Sequence, residues 1–516
     1  MHSSASPSVD LNATAASNEV HVLRSRVVEL ERQLDWFRRQ IFGQTSERRI
    51  VASETQAQLP LAAPAQPLTP PSALERVGAH TRRKAQAPER DDSGLFFDAS
   101  KVPLERIELA NPEVAGLTAD QYEVIEEKST YHLAQRPGSY VVLQYVRPVV
   151  KLKAPQRIVC PSAPVSVIEG SRADVSFIAG LLLDKFAYPL PLYRQHRRLE
   201  DAGFQVSRPW LTQLVHKACA LLEPIHDAQL DSIRLSRVKA MDETPIKAAR
   251  AGPGKMKTGY FWPIYGELDE VSFPYFPTRS TQHVFQALGL TAGERAVLLS
   301  DGYTAYERYA ERTGITHAQC WAHTRRHLFE AQRIEPQRAA VALDQIGKLY
   351  QFEDEIRTLG LLGEAKKSYR QAHATPVVEA FFGWIQAQFD AQGLLPSSPF
   401  THALAYARER EIGLKVYLDD PQVAIDTNHL ERALWVIPMG RKNWLFCWTE
   451  VGAKYVGVMQ SLIVTCRLHD INPYDYLVDV LQRISEHPAA RVAELTPRRW
   501  KVLFADHPIR SALHKS

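Results

Sequence analysis

The sequence has few cysteines, no long apolar run and almost no excess of charge of one sign. Its five cysteines, at 160, 219, 320, 447 and 466, are scattered through 516 residues, and none forms a C-x-x-C pair. That pattern excludes a disulfide framework and a zinc ribbon, and the odd count fits a reducing compartment. The longest apolar runs, such as "FIAGLLL" and "AVLL", fall far short of the roughly 20 residues that span a bilayer. The opening "MHSSASPSVDLNATAASNEV" has no basic stretch followed by an apolar core, so no secretory signal is expected and the expected location is the cytoplasm. Lys and Arg number 62 against 58 Asp and Glu, a formal net charge of +4. No global positive field announces a nucleic-acid partner, and any such signal must be local. What is present, 45% hydrophobic and 23% charged, is ordinary for a globular protein long enough for several domains.

The first patterned segment is Val20, Leu23, Val27, Leu30, Leu34, Phe37 and Ile41, which step by three and four like the seam of a coiled coil. A leucine-zipper-like helix over 18–45 that associates two chains is the preferred reading, so a homodimer or higher oligomer is expected. An amphipathic helix packed on its own protein is the alternative. Residues 46–94, rich in Pro, Ala and Gln and without periodicity, read as a linker. Residues 95–165 alternate as short strands would, most clearly in "SYVVLQYVRPVVKLK", and form a small β-containing module.

Over 172–230, "DVSFIAGLLLDKF", "PLYRQHRRLEDAG" and "SRPWLTQLVHKACALLEPI" carry apolar residues at helical spacing. Gly203 ends the second helix, Ser207 is placed to cap the third and Pro209 falls in its first turn. Helix, short Gly-containing turn, helix is the layout of a helix-turn-helix. Arg194, His196, Arg197, Arg198, Arg208, His216 and Lys217 give it a basic outer surface that could meet phosphates. A helical subdomain packed on its neighbour, with merely solvated arginines, is the alternative.

From 235 the pattern changes. "SRVKAMDE", "GYFWPIYGEL" and "EVSFPYFPT" read as three consecutive strands. A helix over "TQHVFQALGL" precedes "RAVLLSDGYTAY", a fourth strand as apolar as a buried parallel one. "THAQCWAHT" offers a fifth, residues 324–420 read as helical, and "IDTNHLERALWVI" opens another helix. Three antiparallel strands followed by strand–helix alternation is the order of a ribonuclease-H-like fold. The expected fold class is therefore multidomain α/β, with a ribonuclease-H-like core over 235–450, a helical insertion at about 324–420, and a C-terminal helical region over 451–516.

Asp242 and Asp301 both end strands, and the carboxyl edge of an α/β sheet is where ligands sit. Two acids there repel unless a cation lies between them. Oxygen ligands of this kind suit Mg²⁺ or Mn²⁺. A third carboxylate is needed to hold two ions, and "DTNHLERALW" offers Asp426 and Glu431. At about 100° per residue, Asn428, Glu431, Arg432 and Trp435 share a helix face and Asp426 falls nearly opposite, which favours Glu431. Alternatives stay open for each position. Asn428 with Glu431 is also a capping box, and "SDGY" around Asp301 is also an ordinary turn. Glu243 could replace Asp242, but strand alternation points the two to opposite faces; Asp242 with Thr244 beside it is preferred.

"DETPIK", "GYFWPIYG", "SDGYTAY", "THAQCWAHTRRHLFE", "IDTNHLERALWVIPMGRKNWLF" and "INPYDYLVDVL" resemble, in this order, the large transposase of the insertion sequence 66 family. The zipper ending in "IFGQTSERR" and the segment "PLPLYRQHRRL" are similar to its N-terminal half, so the resemblance spans about residues 20–485. It implies a DDE transposase with a ribonuclease-H-like core, with Asp242, Asp301 and Glu431 on the triad positions. It further implies DNA as partner, both terminal inverted repeats and target, and small accessory proteins of the same element. Two departures stand out. The family's zinc-finger-like module before the helix-turn-helix keeps here only Cys160 of its paired cysteines, and Trp435 replaces a common arginine.

Phosphodiester hydrolysis needs an activated nucleophile and a stabilised leaving oxyanion, which two divalent ions roughly 3.5–4 Å apart supply. A 3′-hydroxyl in place of the water joins the element end to target DNA. Lys247, Arg279, Arg325, Arg326, Arg432, Arg441 and Lys442 stand beside these motifs as candidate phosphate contacts. Trp321 and Trp444 are candidate base-stacking groups, with core packing the plainer role. Cys320, His323 and His327 form C-x₂-H-x₃-H without a visible fourth ligand, so packing or hydrogen bonding is expected there rather than zinc. A decayed DNA-binding protein and a non-transposing metal nuclease of the same fold are the rival functions.

Overall fold

The strand formers between 104 and 159 build the first sheet of the computed structural model. The structure describes residues 95–514 apart from 101, 119, 137, 154–155, 253, 291–294, 392–393, 445–446 and 448. The expected zipper and linker lie outside the described residues. β1 (Leu104–Glu108), β2 (Tyr122–Arg136), β3 (Ser139–Leu152) and β4 (Arg157–Val159) form one sheet; β2 and β4 pair antiparallel with β3, and β1 parallel. The hairpin strands run 15 and 14 residues, longer than expected. Gly138 turns the hairpin at φ 83°, a conformation easy only for glycine. Alternate residues of β3 enter different cores: Val142 joins the main one, whereas Val141, Leu143 and Tyr145 pack with Leu513 from the far end of the chain.

Three helices follow: α1 (Val175–Phe186), α2 (Leu192–Asp201) and α3 (Arg208–Leu235). Ser207 accepts the Trp210 N–H at 3.3 Å, Pro209 sits in the first turn, and Gly203 turns the chain at φ 91°. Helix α3 is a spine rather than a free reading helix, since Leu211, Leu214, Ala218, Leu222 and Ile225 bury a full stripe. Two histidines expected on the basic surface are buried. His196 bonds the Val206 carbonyl at 2.8 Å, and the His216 ring meets Tyr455 edge-on.

The central region holds two sheets. Its elements are β5 (Val238–Met241), β6 (Thr244–Gly252), β7 (Lys255–Phe261), β8 (Ile264–Gly266), β9 (Glu270–Ser272), β10 (Tyr275–Phe276), α4 (Thr281–Leu288), β11 (Val297–Ser300), α5 (Thr304–Thr313) and β12 (Thr316–Gln319). A five-stranded sheet has the order β12-β11-β5-β8-β9, with β5, β11 and β12 parallel and β8 and β9 successively antiparallel. A three-stranded sheet, β10-β7-β6, stands beside it. The segment expected as one strand, "GYFWPIYGEL", breaks at Trp262-Pro263 and serves both sheets, because proline has no N–H to donate to a ladder. Both faces of the larger sheet are covered. Val297 and Leu299 join the main core, whereas Leu298 packs with Met241, Trp262, Tyr306 and Tyr309 under α4 and α5.

The expected helical insertion is α6 (Trp321–Ala331), α7 (Pro336–Thr358), α8 (Gly363–Asp390), α9 (Pro399–Glu409) and α10 (Glu411–Asp419). Arg370, fully buried, holds it together. It pairs with Glu353 at 2.7 and 2.8 Å and donates to the carbonyls of Tyr417, Asp420 and Val423. The chain continues through α11 (Asn428–Leu434), α12 (Val436–Trp444), α13 (Glu450–Leu468), α14 (Pro473–Arg483) and α15 (Pro497–Leu503). Helix α13 seals the outer edge of the five-stranded sheet. A Cβ on its Gly457 would overlap the Phe273 carbonyl oxygen, so only glycine lets the helix come this close. Among the described residues, no helix is long and apolar enough to cross a membrane.

Candidate active site

Parallel β5 and β11 are neighbours, so the residues that follow them emerge side by side. Asp242 leaves β5 with its N–H on the Pro263 carbonyl at 3.2 Å, and its carboxylate accepts the Glu243 N–H at 2.8 Å. Burial, then the Glu243 charge, then Asp301 and Glu431 push the Asp242 carboxyl up to about 7. Among the described residues no Lys or Arg forms an ion pair with it, and the charge that acts on it most is that of Glu243. Three acids distant in the chain thus act on one another.

Glu243 takes a different part. Its carboxylate is held by Arg279 (Nε at 2.7 Å) and by the Tyr306 hydroxyl at 2.6 Å. It is bound into the protein, and Asp242 is not.

Asp301 follows β11 and accepts the Tyr303 N–H at 2.9 Å, the ordinary turn geometry of an Asx residue. The insertion clamps this loop. The Gly302 N–H donates to the Tyr406 hydroxyl at 3.2 Å, and Arg410 donates to the Gly302 carbonyl at 3.1 Å. A Cβ at 302 would strike that guanidinium.

Glu431 lies on α11, whose start excludes the capping-box geometry. The N-cap is Thr427, without a side-chain capping bond, and the Asn428 N–H and side-chain amide both go to Asp426, the former at 3.0 Å, so Asn428 caps nothing. The Glu431 carboxylate accepts no hydrogen bond from the described residues and faces Arg326 at 3.7 Å. Cys320 ties this helix to the end of β12, since its sulfur meets the Thr427 hydroxyl at 3.3 Å and accepts the Thr427 N–H at 3.4 Å. Burial pushes its thiol up to about 11, which disfavours a metal-binding thiolate.

His323 is a site residue that sequence reasoning placed in a different motif. Its Nδ1 is buried without a hydrogen-bond partner. Burial lowers its pKa against the opposing influence of Asp301, Glu431 and Asp426. The available signal was its helical position three residues after Cys320. His327 packs at a tilt against Tyr406, ring centroids 4.2 Å apart, and among the described residues no three such side chains gather there as a metal cage. Trp321 is fully buried against Phe381 and donates to the Leu414 carbonyl; it is a core residue. The Trp444 and Lys442 side chains lie outside the described residues.

The basic candidates divide in two. Arg194, Arg197, Arg208, Lys217, Lys247, Arg325, Arg326 and Arg432 are exposed. Arg198 is engaged by Asp184 and Tyr140, Arg279 by Glu243, and Arg441 by the Pro245 carbonyl.

Among the described residues, no three His, Cys, Asp or Glu side chains are drawn together as a ready metal cage. The donor set nevertheless fits hard divalent cations, being all oxygen, partly solvated and without a described ion pair at Asp242.

Residues 170–455 match a family model described as Transposase IS66 family, and residues 461–498 one described as IS66 C-terminal element. Residues 29–93 match one described as Transposase C of IS166 homeodomain. Among curated relatives, the uncharacterized protein y4hP of Sinorhizobium fredii is 28% identical over 515 residues, covering 92% of this chain and 89% of the relative. The uncharacterized protein y4qI of that organism is 29% identical over 418 residues, covering 77% and 76%. A third, y4jD, is 26% identical over 504 residues, covering 94% and 96%.

Proposed function

Since the chain belongs to the IS66 transposase family, and is thus a transposase of an insertion sequence, we propose that it is a DDE enzyme that cleaves DNA at the element ends and joins the 3′-hydroxyls to target DNA. The sheet order β12-β11-β5-β8-β9, with its three parallel strands, supports reading the core as ribonuclease-H-like. In this reading Asp242, Asp301 and Glu431 hold two Mg²⁺ or Mn²⁺ ions. Such ions, when bound, lower the pKa of a nucleophilic water and neutralise the departing 3′ oxygen.

The chain's own groups do the rest. Asp242, pushed up by burial and by its acidic neighbours, favours the arrival of positive charge. Tyr406 and Arg410 fix the Asp301 loop, and Asp426 and Cys320 fix the start of α11 and so the reach of Glu431. Exposed Arg325, Arg326 and Arg432 flank the acids and suit DNA phosphates. Exposed Arg194, Arg197, Arg208 and Lys217 on the helix pair provide a second, more distant contact. The reading rests above all on one observation: parallel β5 and β11 pair up to Ala240 and Leu299, so Asp242 and Asp301 follow them side by side.

The test is cleavage of duplexes bearing the element's own terminal repeats, with Mg²⁺, against random duplexes. The full chain is expected to nick the repeats preferentially, and Glu431→Gln, which could still act in a cap, to abolish nicking. Full activity in that variant would sink the assignment. Binding without nicking points to a decayed DNA-binding protein, and nicking indifferent to the ends to a non-transposing nuclease. An oligomer formed through residues 18–45, and a need for accessory proteins, belong to the same proposal.

A further inference from the structure

One tryptophan stands apart from the other described tryptophans. Trp262 and Trp321 are fully buried and Trp500 is 3% exposed, whereas Trp435 is 70% exposed. Among the described residues Trp435 makes no ring contact. Met439, one turn on, is 49% exposed. The amphipathic helix forces this outward aim, because Leu430, Leu434 and Ile437 are buried on the opposite side.

The stripe begins at the acidic site. The Trp435 N–H donates to the Glu431 carbonyl and the Met439 N–H to the Trp435 carbonyl, each at 3.1 Å. Trp435 is the joint between α11 and α12, and these bonds carry the helical path across it, so Glu431, Trp435 and Met439 follow at four-residue steps, about 6 Å apart along the axis. The rim is cationic: Arg432 is exposed beside Trp435, and Arg326 lies 3.7 Å from Glu431. An aromatic plane next to cations matches a nucleobase on its phosphate strand better than it matches an apolar protein surface.

We propose that Trp435, backed by Met439, stacks on an unpaired nucleobase of the DNA strand held at the acidic site. This rests on the transposase reading and adds to it a base-holding group. The indole face takes any base, so it selects an unpaired strand and not a sequence. The base must leave its duplex stack to reach the ring, which favours frayed ends over closed ones.

The full chain is titrated, with Ca²⁺ to hold back cleavage, against a blunt duplex and against the same duplex carrying a short unpaired end labelled with 2-aminopurine. Wild type is expected to bind the unpaired-end duplex about ten-fold more tightly, with quenched aminopurine emission, within the range of base–aromatic stacking. Trp435→Ala should lose both the preference and the quenching while binding the blunt duplex as before. Trp435→Phe should keep most of the preference. An unchanged preference in Trp435→Ala overturns the proposal. So does a shift of that variant to a smaller species in sedimentation with the preference intact, which would assign the stripe to a second copy of the chain. Wild type that binds both duplexes equally sinks this inference alone, whereas wild type that binds neither sinks the transposase reading as well.

Discussion

Two acids at the same sheet, one buried and one half-buried, have opposite surroundings. Glu270, on β9, is 1% exposed, with Arg498 at 3.2 Å and the Ser232 hydroxyl at 2.6 Å. Around it the edge of β9 is closed by side chains of α3 and α13. The Val271 N–H donates to Thr465 Oγ1 at 3.2 Å, Gln229 donates to the Val271 carbonyl at 2.7 Å, and the Phe273 N–H donates to Ser461 Oγ at 2.9 Å. Asp242, at the end of β5, has acids for neighbours and no described ion pair. Backbone and side-chain bonds from two helices make the closed edge architecture, whereas no helix side chain reaches across the end of β5 to pair with Asp242 among the described residues.

The sharpest way to break this contrast is to remove the open charge. Asp242→Asn should reduce cleavage about a thousand-fold or more, as losing a principal transition-state group does, while Mg²⁺ should raise the melting temperature of wild type but not of the variant. In the metal-free protein the variant should be the more stable at neutral pH. The raised folded pKa of Asp242 means that native protein keeps a proton which the unfolded chain has released, so this group's contribution falls as pH climbs from about 4 to about 7. A variant less stable than wild type without metal would place Asp242 among the structural acids.

On the closed side, Gly457→Ala should destabilise by about 3 kcal/mol or more, because backbone and not a flexible side chain blocks the new Cβ. A chemical-denaturation midpoint near wild type would show the helix able to move away. Thr465→Val, similar in shape but without the hydroxyl, should cost about 2 kcal/mol by leaving the Val271 N–H unsatisfied. That loss should be unaffected by Mg²⁺.

The effect confined to acid concerns His317, which shares a hydrogen bond with Ser300 Oγ at 2.7 Å and has its pKa lowered by burial to about 4. A depressed folded pKa gives stability that is complete above the unfolded value of about 6.5 and is lost as pH falls toward 4. At neutral pH His317→Gln should change little, but across that window it should flatten the stability–pH curve by up to about 3 kcal/mol, and an unchanged slope would assign the acid sensitivity elsewhere.

Much of this was legible from local pattern. The Ser207 cap, the Gly203 turn, the helical insertion and the strand-ending positions of Asp242 and Asp301 follow from chemistry within a few residues, where propensity and periodicity act. The preference for Glu431 over Asp426 rests on helical angle, but Asp426 precedes the helix and is held by Asn428 instead. Tertiary structure decided the rest. Two sheets divide "GYFWPIYGEL", α13 needs a glycine at 457, His196 and His216 turn inward, and His323 meets acids from two other segments. Each depends on which distant surfaces meet. Burial and the sum of neighbouring charges, which no stretch of chain carries by itself, then set whether an acid such as Glu270 has an arginine beside it or one such as Asp242 has other acids.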